Sequence, residues 1–131
     1  MIATLLLLAQ IVPVPAEPKP LTTTIVAIRS NPKKFDGQVV RLRGWVNQCQ
    51  PQSCGIDERP ATGPGGSGEH LSIAPDPKFD TTIEPLLPTY VEFDARLTAQ
   101  CLIAACAGRA PVLSVVSLRS VVSPEPPAIE N

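Results

Sequence analysis

The sequence predicts a mainly β fold: a curled five-stranded barrel with one or two short helices, preceded by an N-terminal signal segment. Three observations predict it. Residues 38–47 and 90–100 alternate apolar and polar side chains with the period of two expected of strands with one wet face. The chain holds 16 prolines, and the interior ones break long helical patterns. Turn-rich stretches separate short β-branched segments, and cysteines bracket two of the connections.

Residues 1–16 read as a cleavable signal peptide. Residues 2–12 are apolar apart from Thr4 and Gln10, a run too short to cross a bilayer as a helix. Val14 and Ala16 stand at positions −3 and −1 of a signal-peptidase site, leaving Glu17 as the first mature residue. The segment departs from the usual pattern in carrying no Lys or Arg. The alternatives are a buried first strand or an uncleaved anchor. No cysteine closely follows the apolar run, which argues against a lipid anchor. Cleavage would leave no stable membrane span and a periplasmic or secreted protein.

A proline-rich lead, residues 17–23, precedes the domain at 24–122, and residues 123–131 (SPEPPAIEN) read as a disordered tail. Residues 22–30 predict a short helix that buries Ile25, Val26 and Ile28 and stops at Asn31 and Pro32. Phe35, Asp36 and Gly37 form a turn. In the first strand, 38–47, Val40, Leu42, Gly44 and Val46 share one face, and Val39, Arg41, Arg43 and Trp45 the other. Gly44 predicts a bulge or tight bend there. Residues 54–58 and 70–74 supply the second and third strands, joined by the glycine-rich 59–69, read as a flexible hairpin loop. Residues 76–87 form a short helix with Asp76 as N-cap, Pro77 at N1, and Phe79, Ile83 and Leu87 inward, though Pro85 weakens it. Residues 90–100 and 112–122 complete the set, with Val91, Phe93, Ala95, Leu97 and Ala99 on the buried side of the fourth strand. Five strands with a helix between the third and fourth is the layout of an OB-fold, a small, partly open barrel.

Four cysteines allow three connectivities. Cys49 with Cys54 and Cys101 with Cys106 are favoured, because each pair flanks a short strand-to-strand loop and so falls within disulfide reach. The rival is a zinc site with four cysteine ligands. The four-residue spacers and the oxidising compartment implied by export argue against it. No cofactor is expected.

Arg41, Arg43 and Trp45 share a face that Tyr90 and Arg96 can join, the ingredients of a stacking platform for a ligand. The plainer alternative pairs Arg41 or Arg43 across strands with Glu92 or Asp94. A net charge of −1 disfavours nucleic acid, which leaves a glycan, a peptide or an envelope protein as the partner classes. His70 is the sole histidine, and neither G-x-S-x-G nor H-E-x-x-H surrounds it. A solvent-side strand histidine is therefore expected, and no enzymatic activity. The stretch IVAIRSNPKKFDGQVVRLRGWVNQCQPQSC resembles small exported bacterial proteins with an OB-fold-like domain. The resemblance implies a fold and no activity. The functional expectation is a binding or interaction module, with an envelope accessory protein lacking any small ligand as its alternative.

Overall fold

The computed structural model describes residues 19–50, 53–62, 65–100 and 110–122. The signal segment, the tail, and Cys101 with Cys106 lie outside the described residues.

Alternation along the chain builds the barrel wall. β1 (Leu21–Thr22) leads into α1 (Ile25–Ser30), and β2 (Val39–Val46) follows. On β2 the side chains of Val40, Leu42 and Val46 point inward and are buried, as expected. After β3 (Cys49–Gln50), β4 (Ser53–Asp57) and β5 (His70–Ile73) come α2 (Pro77–Ile83), β6 (Thr89–Thr98) and β7 (Val112–Val122). β6 lies antiparallel to β2 from Val39↔Arg96 to Val46↔Thr89, and its Val91, Phe93, Ala95 and Leu97 have no exposed surface. β7 pairs antiparallel with β6 and parallel with β5, β5 pairs with β4, and β4 returns to β2 at Trp45↔Asp57. The five strands β2, β6, β7, β5 and β4 thus close a ring in OB-fold order, with β1 and β3 as short additions.

Gly44 lets the ring close. A Cβ there would stand 2.7 Å from Ile56 Cγ1 and 2.8 Å from the Asp57 carbonyl oxygen, so a side chain would push β2 off β4. The glycine that the sequence reads as a bulge or tight bend thus marks the close approach of β2 to β4, and the β2–β6 register runs through it without a shift.

The helices cap the barrel and extend its core. α1 begins three residues later than the sequence suggests, because Thr22 belongs to β1, pairing in parallel with Arg41. Thr24 is the cap, its Oγ1 accepting from the Ala27 amide at 3.1 Å. Ile25 and Ile28 are buried, whereas Val26, expected inward, is 46% exposed: one residue turns the helix by about 100° and carries Val26 off the buried stripe. A 3₁₀ turn, Pro32–Phe35, then buries Phe35, and Gly37 takes φ +74° in the following turn. α2 is capped as predicted by Asp76, whose carboxylate accepts from the Phe79 amide at 3.1 Å. Its predicted span to residue 87 divides at Pro85, and Glu84–Leu86 is a 3₁₀ turn. Phe79 and Ile83 enter the core, where the Phe79 ring sits 5.9 Å from that of Phe93. Among the described residues no helix is long and apolar enough to cross a membrane.

Candidate ligand-binding face

One row of side chains crosses the outside of the barrel. Strand register sets Tyr90 opposite Trp45, Trp45 opposite Asp57, and Asp57 opposite His70. The Trp45 and Tyr90 rings meet edge to face, with centroids 5.8 Å apart. At the other end of the row, the Asp57 carboxylate is buried and the His70 ring is half exposed.

Asp57 links two neighbours. Its Oδ1 lies 2.5 Å from His70 Nδ1, and its Oδ2 accepts from Asn47 Nδ2 at 2.8 Å. Asn47 is in turn fixed by donating to the Arg59 carbonyl at 3.0 Å and accepting from the Ala61 amide at 2.9 Å. A carboxylate offers only acceptors, so His70 Nδ1 carries the shared proton and Nε2 is left for a ligand. Gly55, two pairs along the β4–β5 ladder, makes room for the ring: a Cβ there would overlap the His70 imidazole. Asn47, Ser53, Asp57, Ser67, His70 and Ser72 line a cleft of about 380 Å³ over this part of the barrel.

The 59–69 connection, expected to be a flexible loop, is tied down at its base. Arg59 Nε donates to the Gly66 carbonyl at 3.2 Å, and the Arg59 amide donates to the Ser67 carbonyl at 3.0 Å. The Glu69 amide donates to Glu58 Oε1 at 2.7 Å. These bonds carry Ser67 to the rim of the cleft.

The residues named from sequence as ligand contacts, Arg41, Arg43, Trp45, Tyr90 and Arg96, do share one face of β2 and β6. Their cations already have partners. Arg41 holds Asp94 in a two-pronged ion pair at 2.8 and 3.2 Å, and Arg43 pairs with Glu92. Arg119 from β7 reaches Glu92 at 3.1 Å and Asp94 at 3.9 Å. Arg96 donates to the Gly37 carbonyl at 2.6 Å. The hydrogen bond from Arg43 holds the Glu92 carboxyl below the usual carboxylate range, with help from Arg119. Hydrogen bonds to Asp94 and Glu92 keep Arg41 and Arg43 more firmly protonated than a free guanidinium. The cross-strand pairing named as the plainer alternative is therefore what the structure shows.

The Cys49–Cys54 disulfide joins residues directly opposite each other on the β3–β4 hairpin. Asp80 of α2 approaches it, with Oδ1 3.2 Å from Cys49 Sγ, and burial pushes the Asp80 carboxyl above its ordinary value.

The sequence alone brings neither Asp57 nor Asn47 to His70. The signal that joins them is the register of the β4–β5 hairpin, which a glycine-rich loop leaves open.

No family model and no curated protein matches the chain. Among solved structures, it is similar to a putative aspartyl-tRNA synthetase from Leishmania major Friedlin, with a TM-score of 0.42 and 11% identity. The match covers 79% of this chain and 21% of the other, so the chain spans about a fifth of that protein. Likeness at that level assigns neither family nor activity.

Proposed function

We propose that the protein is an exported, non-enzymatic binding module that holds a glycan in the cleft over β4 and β5. One observation carries the reading: the Asn47–Asp57–His70 chain of hydrogen bonds fixes an imidazole in a cleft rimmed by Ser53, Ser67 and Ser72. Hydroxyl, amide, carboxylate and imidazole groups suit the alternating donors and acceptors of sugar hydroxyls. The Trp45–Tyr90 pair on the same row offers the aromatic surface against which a sugar ring packs. OB-type barrels use the outside of their second and third strands, here β4 and β5, to bind oligosaccharides and oligonucleotides. Export supplies the oxidising compartment in which a disulfide such as Cys49–Cys54 persists.

The test is a glycan array followed by titration of any hit. His70→Ala and Trp45→Ala are expected to weaken binding tenfold or more, and Arg43→Ala to leave it unchanged. Ligands found only on a peptide array would replace the ligand class. Glycan binding that ignores His70 would move the site elsewhere. Export is tested separately by sequencing the N-terminus of the secreted protein, which is expected to begin at Glu17.

A further inference from the structure

We propose that Cys49, Cys54 and Asp80 hold a zinc ion in the reduced chain, before the disulfide forms. The two sulfurs and a carboxylate oxygen of Asp80 all lie within 4.8 Å of one another. Zn–S distances of about 2.3 Å and Zn–O distances of about 2.1 Å put the ligand atoms of a tetrahedral site roughly 3.5–3.8 Å apart. Cys49 Sγ and Asp80 Oδ1, 3.2 Å apart, are already close to that spacing. With no bond between them, the two sulfurs reach it by side-chain rotation alone.

Three elements fix the arrangement independently of the bond. The β3–β4 register sets Cys49 against Cys54. The Asp76 cap and Pro77 start α2 where its next turn delivers Asp80 to the hairpin. Cys49 and Cys54 are 3% and 6% exposed, so a bound ion would be shielded on the thiolate side. Asp80 Oδ1 lies 3.2 Å from Cys49 Sγ, and among the described residues no Lys, Arg or His forms an ion pair with the Asp80 carboxylate. A zinc ion would give that carboxylate the positive partner it lacks.

The chemistry balances. Each thiol releases its proton to solvent as zinc binds, so two thiolates and one carboxylate become ligands and water takes the fourth position. Oxidation by a disulfide-bearing carrier protein then forms the Cys49–Cys54 bond. The two electrons pass to the carrier's disulfide, which becomes two thiolates, and the zinc ion departs. Metal and disulfide therefore exclude each other. This site differs from the four-thiolate arrangement in using Asp80 and in needing neither Cys101 nor Cys106.

The proposal stands apart from the glycan reading and can fail without it. The test uses the full chain with Cys101→Ser and Cys106→Ser, reduced by a phosphine and titrated with cobalt(II), then with zinc. Expected are thiolate-to-cobalt absorption, its displacement by zinc, and no such absorption in the oxidised protein. Asp80→Ala is expected to weaken zinc binding at least tenfold, and Asp80→His, which supplies an imidazole nitrogen, to restore it. Zinc binding lost with Cys101→Ser and Cys106→Ser would overturn the proposal in favour of four thiolates. Affinity unchanged by Asp80→Ala, or not restored by Asp80→His, would also overturn it.

Discussion

On the face shared by β2, β6 and β7, three arginines meet two carboxylates in an alternating chain: Arg43, Glu92, Arg119, Asp94, Arg41. On the face of β4 and β5, one buried carboxylate holds an amide on one side and an imidazole on the other, and the imidazole opens onto a cleft. Both arrangements satisfy their charges, and they differ in what is left over. Each of these three guanidiniums is directed at a carboxylate within the protein, so a ligand would have to compete for it. On the second face the hydrogen bonds end at His70 Nδ1 and leave Nε2 to a ligand. Charged residues on a strand face are thus a poor guide to a binding site until their cross-strand partners are known.

Removing the brace beside the cleft is expected to have the largest effect. Cys49→Ser with Cys54→Ser should lower unfolding free energy by about 2 kcal/mol on the loop-entropy model, read from urea denaturation. Because Ser53 and Cys54 of β4 stand at the cleft wall, ligand binding should weaken as well, whereas the arginine face should keep its ion pairs. Next is Gly55→Ala, which displaces the His70 ring. Glycan affinity should fall at least tenfold, or about 1.4 kcal/mol, with a smaller change in stability. Arg41→Met should show the converse. It leaves Asp94 buried without its two-pronged partner, so the urea midpoint falls while affinity holds.

The smallest effect is a pH dependence confined to the arginine face. The folded Glu92 carboxyl titrates below its ordinary value of 4.5, so it takes up a proton less readily folded than unfolded. Its stabilisation is complete above that ordinary value and is lost as pH falls through the lower, folded one. Urea midpoints measured from neutral pH to about pH 3 should therefore decline less steeply for Glu92→Gln than for the parent. Equal slopes would remove Glu92 from the account of acid stability.

How much of this was legible in the sequence depended on how local each signal was. The inward faces of β2 and β6 follow from alternation alone, and Val40, Leu42, Val91, Phe93 and Leu97 are all buried as read. The caps Asn31 and Asp76 and the turn at Gly37 are also local and were legible. Alternation alone does not give the inward face of β7, whose ladder with β6 shifts register twice, between Glu92 and Phe93 and between Asp94 and Ala95. Thr22 joined a strand instead of a helix because its partner, Arg41, is distant in sequence. The site failed to show itself for the same reason. Asp57 and His70 are brought together by a hairpin whose glycine-rich loop leaves the register open. By contrast, the Arg41–Asp94 and Arg43–Glu92 pairs were readable, because two well-alternating strands allow few registers.

The central claim is that the ligand site is centred on β4 and β5 and that the ion-paired arginines take no part in it. Amide chemical-shift changes during titration with a glycan that the protein binds test it most directly. The account predicts the largest changes at Asn47, Gly55, Asp57, His70 and Ser72, with Arg43, Glu92 and Arg119 nearly still. Changes concentrated at Arg41, Arg43, Glu92 and Arg119, with Gly55 and His70 unmoved, would contradict it.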